Sequence, residues 1–126
     1  MSVPILKQGD YLIASIQSAL SDSEVLQLRD SIAERIGTLR SQGIVIDVAA
    51  LDVIDSFVAR SLKTIAQTAK LRGAETVIVG IQPDVAVAMV RLRLNLLPVQ
   101  TALDLEEALT LLDAITKDGR LQWRMR

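Results

Sequence analysis

The sequence contains no cysteine and no histidine. The first absence excludes a disulfide framework and thiolate chemistry. The second removes the commonest general base, the commonest transition-metal ligand and the usual switch for near-neutral pH. Aromatics are almost missing: Tyr11, Phe57 and Trp123 are the whole set. A stacking platform for bases is therefore not expected. Charge of either sign is also not in excess. Fourteen Lys and Arg stand against 15 Asp and Glu, a formal net charge of −1, so nothing pulls the chain toward nucleic acid or an anionic membrane.

Long apolar runs are lacking too. The longest, Ile44 to Leu51, is interrupted by Asp47 and falls far short of a membrane span. Met1-Ser2-Val3-Pro4 has neither the charged nor the apolar region of a signal peptide, so a cytoplasmic address is expected. The six glycines form no Gly-rich fingerprint and no Gly-Lys-Ser/Thr. The carboxylates fit no calcium-loop spacing. No cofactor, no metal and no catalytic constellation is legible, and a non-enzyme is expected.

What is present is aliphatic. Half of the 126 residues are apolar, enough for the core of one domain. Any surplus would form an assembly interface, which leaves room for a homodimer.

Strands are expected at Val3 to Lys7 and Tyr11 to Ile16, turning at Gly9-Asp10. Ser21 and Glu24 form a capping-box pattern. It opens a helix with Val25, Leu28, Ile32, Ile36 and Leu39 on one stripe, stopped by Gln42-Gly43. Ile44 to Val48 is a β-branched run suited to a strand buried on both faces. A second helix opens at Asp55 and ends at Gly73. Thr76 to Val79 is another buried strand, and Pro83 suits the first turn of a third helix. A short last strand is expected within Leu96 to Gln100. Asp104 and Glu107 then open a helix lined by Leu105, Ala108, Leu109, Leu112 and Ile115. Residues 1–118 are expected to form the domain, and 119–126 are expected to be a basic, frayed tail. Strands alternating with helices predict an α/β fold: a mixed, mostly parallel sheet with four main helices.

In open α/β sheets, function gathers at the carboxyl ends of the strands. There the sequence reads Asp47-Val48-Ala49-Ala50-Leu51-Asp52-Val53-Ile54-Asp55-Ser56-Phe57. Asp55 is a natural N-cap, which puts Ser56 at the first helical position, beside unpaired amides and the positive end of the helix dipole. A phosphoryl group there would be tolerated by the helix, so its effect would fall on a docked partner. Asp47, Asp52, Asp55 and Asp84 already make the area acidic. By position alone, Ser56 reads as an ordinary first-turn serine as readily as a modification site or more so, since serines are common at helix starts, and the helix start could also hold a nucleotide or small anion. Arg60 and Lys63 follow at i+4 and i+7, placed either to hold a phosphate or to solvate the helix. Gly80-Ile81-Gln82-Pro83 is a strand-to-helix turn near the same end, lining the docking surface or serving only as a turn. Thr64 and Thr68 are expected outward, as a second modification site or plain surface. Arg91, Arg93 and the tail arginines make a modest basic cluster, and Trp123 a candidate partner anchor.

Val45-Ile46-Asp47-Val48 followed by Leu51-Asp52-Val53-Ile54-Asp55-Ser56-Phe57-Val58-Ala59-Arg60 resembles the phosphorylation segment of STAS domains, the anti-sigma factor antagonist family, and in particular its small stressosome subunits. Val3-Pro4-Ile5-Leu6-Lys7, Val79-Gly80-Ile81-Gln82-Pro83-Asp84-Val85-Ala86-Val87 and Thr101-Ala102-Leu103-Asp104-Leu105-Glu106-Glu107-Ala108-Leu109 fit the same pattern. The resemblance runs to about Leu112 and departs at Arg91 to Leu96 and in the tail. It implies a STAS fold and phosphorylation of Ser56 by a serine/threonine switch kinase of the RsbT type. It also implies co-assembly with sensor-bearing STAS paralogues of the RsbR type, sequestration of the kinase until stress, and reset by a phosphatase of the RsbX type. Asp52, Asp55, Phe57, Arg60, Gln82, Pro83 and Asp84 would form the switch surface. Neither nucleic acid nor membrane is an expected partner.

Overall fold

The computed structural model describes residues 3–124, with side chains described through Lys117. Among these residues there are five strands and four helices: β1 (Ile5–Gln8), β2 (Tyr11–Ser15), α1 (Asp22–Leu39), β3 (Gly43–Asp47), α2 (Ser56–Leu71), β4 (Glu75–Val79), α3 (Pro83–Arg91), β5 (Gln100–Ala102) and α4 (Leu105–Arg124). They form one sheet in the order β1-β2-β3-β4-β5. β1 and β2 are an antiparallel hairpin, and β2 to β5 run parallel. The architecture is the mixed, mostly parallel α/β sheet expected from the alternation of elements.

Alternation along the strands sorts the core into two layers, because successive side chains in a strand point to opposite faces. Leu12, Ala14, Ile44, Ile46 and Ile78 face the layer shared with Val25, Leu28, Ile32 and Ile36 of α1, Leu62 and Ile65 of α2, and Val85 and Met89 of α3. Tyr11, Val45, Val77 and Val79 face the other way, toward Ala108 and Leu112 of α4. Ile44, Val45 and Ile46 have no exposed surface at all, as a central strand covered on both sides requires.

The helix starts follow the capping chemistry. Ser21 Oγ accepts from the Glu24 amide (3.3 Å), and Glu24 returns the contact to the Ser21 amide (3.1 Å). That bond holds the Glu24 carboxyl below its ordinary range. Asp104 Oδ1 accepts from the Glu107 amide (2.9 Å) to open α4.

Several boundaries differ from the expectations, most by a single residue, as where β3 runs Gly43–Asp47 and not Ile44 to Val48. Helix α1 ends at Leu39, and Arg40, in the left-handed region at φ 53°, turns the chain before Gln42-Gly43 is reached. Gly43 serves another purpose: a Cβ there would lie 2.9 Å from the Leu112 side chain and 3.0 Å from the Tyr11 ring, so its absence lets α4 approach β3. Leu39, placed on the buried stripe by its spacing, is 39% exposed in the last turn. The last strand starts at Gln100 instead of occupying Leu96 to Gln100. Buried Leu96 anchors a turn in which the Val99 amide bonds the Leu96 carbonyl (2.8 Å), and Pro98 has no amide for a ladder. The hairpin is shifted slightly, from Val3–Lys7 to Ile5–Gln8.

Helix α4 is tethered across the sheet. The Tyr11 hydroxyl donates to Asp113 and lies 3.2 Å from Thr116 Oγ1, and Lys117 pairs with Asp113 at 3.2 Å. The backbone of α4 continues through Arg124, across part of the expected tail. The side chains of that tail, Trp123 among them, lie outside the described residues.

Candidate functional site: the amino end of α2

The segment joining β3 to α2 is shaped by two buried anchors. Leu51 (5% exposed) and Ile54 (3%) plug into the core, so the residues between and after them, Asp52, Val53, Asp55 and Ser56, are forced to the surface. Asp55 has extended backbone (φ −89°, ψ −176°), and its Oδ1 accepts from the Val58 amide at 2.9 Å. Its carbonyl accepts the first helical bond, from the Ala59 amide at 2.9 Å. Ser56 is thus the first residue of α2, exposed, with first-turn amides that have no intrahelical acceptor. Phe57, next in line, is half-buried against the core. It covers a small apolar cavity with Ile16, Leu20, Leu51 and Leu62, and its carbonyl accepts from Ser61 Oγ (2.7 Å).

The loop is clamped from two sides. Asp47 Oδ1 accepts from the Ala49 amide (2.9 Å), and the Val48 amide bonds the Val79 carbonyl (3.0 Å). Gln82 Nε2 donates to the Ala49 carbonyl at 2.7 Å, tying the turn after β4 to the loop after β3. With its side chain held toward Ala49, Gln82 stands at the N-cap of α3 and its carbonyl oxygen accepts no capping bond. Gly80 makes the clamp fit. Its φ is +84°, and a Cβ would meet Ala49 Cβ at 2.9 Å and Asp47 Oδ1 at 3.0 Å.

Ser56, Asp52, Asp55, Gln82, Pro83 and Asp84 all stand on the two segments that this clamp joins. Pro83 is exposed at the first position of α3, and Asp84 Oδ1 accepts from the Val85 amide (3.0 Å). Arg60 is exposed one turn beyond Ser56, and among the described residues it makes no ion pair. Lys63 lies further along α2 and is half-buried in a different groove. Thr64 is exposed, while Thr68 is half-buried and donates to the Thr64 carbonyl (3.0 Å). Sequence reasoning missed the structural part of Asp47, Ala49 and Gly80. A glycine between a buried strand and a proline-started helix was the available signal for close approach. Among the described residues no group of three or more carboxylates is placed to hold a metal ion.

A family model for the STAS domain matches residues 2–108. The chain belongs to the STAS domain family. Two solved structures are similar to this STAS chain over nearly all of their own length. A glutamate-for-serine variant of RsbS from Moorella thermoacetica is 37% identical with a TM-score of 0.74, covering 91% of this chain and 97% of that one. A chain from the molecular architecture of the stressosome, a signal integration and transduction hub, is 38% identical with a TM-score of 0.74, covering 89% and 97%. The RsbT co-antagonist protein RsbRD of Bacillus subtilis (strain 168) is 27% identical over 110 residues. This STAS chain spans 40% of the length of the curated relatives it matches. No helix among the described residues is long and apolar enough to cross a membrane.

Proposed function

We propose that this STAS chain is a phosphorylation-controlled scaffold subunit of a stressosome-type complex in the cytoplasm. In this reading it co-assembles with sensor-bearing paralogues of the RsbR type, holds a serine/threonine switch kinase of the RsbT type, and releases it when Ser56 is phosphorylated. It acts as substrate and binding partner, not as catalyst. The observation that carries the reading is the exposure of Ser56 at the amino end of a helix whose cap is supplied by Asp55. The likeness to RsbS and to a stressosome chain over most of their length supports the choice of partners.

The step is simple. The kinase takes the Ser56 proton onto its own base. The Ser56 oxygen attacks the γ-phosphorus of ATP, the bond to the bridging oxygen breaks, and ADP leaves. The group added carries about −1.5 to −2 charges. The capping bond of Asp55 does not involve the Ser56 hydroxyl, so the helix keeps its start, and its dipole favours the new anion. A docked kinase instead faces a strongly hydrated dianion among Asp52, Asp55 and Asp84. A phosphatase of the RsbX type restores the hydroxyl by hydrolysis, releasing inorganic phosphate.

The direct test incubates the chain with its cognate kinase and ATP and maps the product by mass spectrometry. One phosphoryl group on Ser56, absent in Ser56→Ala, is expected. Modification of Thr64 or Thr68 with Ser56 untouched would overturn the site.

A further inference from the structure

At the opposite end of α2 the fold leaves a second concave site. β5 pairs with β4 only from Val77 onward, Val77 opposite Gln100, so Glu75 and Thr76 have no strand beside them on that edge. The chain before Gln100 turns away at Pro98. The result is a groove of about 320 Å³ between the second half of α2, the edge of β4 and Ile115 of α4. That volume lies at the lower end of small-ligand sites.

Its chemistry is asymmetric. From Ser56 to Leu71, α2 contains no acidic residue, while Lys63 and Lys70 both stand on the groove. Lys63 pairs with no carboxylate among the described residues, and Lys70 is bonded to Glu75 at 3.0 Å. Two ammonium groups therefore face one carboxylate. Thr76, also in the wall, is 6% exposed, and its hydroxyl is buried without a hydrogen-bond partner. A buried polar group left unpaired is unusual and marks a place where a ligand can supply what the protein does not. The remaining wall is mixed: Gln67 and Gln100 stand beside an apolar strip of Ala66, Pro98, Val99 and Ile115.

We infer that this groove binds a compact organic anion with an apolar tail, its head group held by Lys63, Lys70 and the Thr76 hydroxyl and its tail on Val99 and Ile115. The site is separate from Ser56 and does not depend on that serine's being phosphorylated. Either a carboxylate or a phosphate head has the required chemistry.

The test is titration of the isotopically labelled full chain with sodium octanoate, octyl phosphate and, as the uncharged control, 1-octanol, followed by amide and methyl NMR shifts. Saturable shifts at Lys63, Lys70, Thr76, Val99 and Ile115 are expected for at least one of the two anions, the tighter one identifying the head group. The alcohol should bind at least about tenfold more weakly. Lys63→Gln and Lys70→Gln keep most of the aliphatic stem and remove the charge, so the unfolding midpoint should be nearly unchanged, and each should weaken the anion several-fold. Thr76→Val keeps the side-chain shape, should leave the unliganded chain at least as stable, and should weaken the anion as well. Equal binding of octanol, undiminished binding by the lysine or threonine variants, shifts confined to another surface, or no shifts with either anion would each overturn the assignment.

Discussion

Asp55 and Ser56 divide the work at the start of α2. The carboxylate satisfies a first-turn amide, so the neighbouring hydroxyl is free of structural duty. Asp55→Ala should therefore cost about 1 kcal/mol of stability, and Asp55→Asn almost nothing, as read from urea unfolding midpoints at constant m. Equal losses for both would show that charge, not capping, holds the helix start. Ser56→Asp should leave the unfolding curve within error of the parent, because a negative charge in the first turn is favourable. The same variant should bind the switch kinase at least about tenfold more weakly, a coupling of about 1.4 kcal/mol within the usual range for such switches. Undiminished kinase binding would sink the proposed switch. The Asp-Ser pair was legible from local sequence, since capping involves only residues three apart. Its exposure followed from the same first-turn position; local sequence did not show that Leu51 and Ile54 secure it by reaching a core built from distant elements.

The two loops at the carboxyl end of the sheet act as one element through Gln82 and Gly80. In Gly80→Ala, a backbone at φ +84° and a Cβ 2.9 Å from Ala49 combine, so a loss of about 1–3 kcal/mol is expected, with Ala49 and Asp47 amides shifting in NMR spectra. A neutral effect would mean that the clamp is loose. Periodicity placed the helices well because α1, α2 and α4 carry capping residues and long apolar stripes. It placed β5 too early. Leu96 and Val99 have the composition of a strand, yet Leu96 anchors a turn and Pro98 offers no amide, so pairing waits until Gln100 meets Val77. Gly43 read as a helix stop for a similar reason: a glycine marks low steric demand, and only the packing of Leu112 shows from which side that demand comes.

At the scale of the molecule, α4 is the one helix that covers its face of the sheet among the described residues, and the Tyr11–Asp113–Lys117 contact ties it down. The hydrogen bond from Tyr11, and then Lys117, holds the Asp113 carboxyl below its ordinary value of 3.8. A carboxyl lowered on folding contributes stability above its unfolded pKa and loses that contribution as pH falls through the folded value. Burial, and then Asp113, raises the Tyr11 phenol above 10.0, so its contribution is full below that pH and lost as pH rises through the raised value. Tyr11→Phe should lower Tm by an amount that is flat around neutral pH and shrinks on acidification below the carboxylate range. A Tm difference that grows in acid would refute the contact. Leu71, Val90, Leu97 and Leu103 remain largely exposed, as the proposed assembly into a larger complex requires of some apolar surface.

The amino-acid sequence by itself determined the order of elements, the covered central strand, the helix starts and the placement of Ser56 after its capping aspartate. These depend on interactions within a few residues, which periodicity and cap chemistry record. The tertiary structure alone decided which residues surface between the anchors Leu51 and Ile54. It also joined Gln82 to Ala49 and opened a groove where β5 stops short of Thr76. Each of these requires groups far apart in the chain to meet, and nothing local encodes the distance between them.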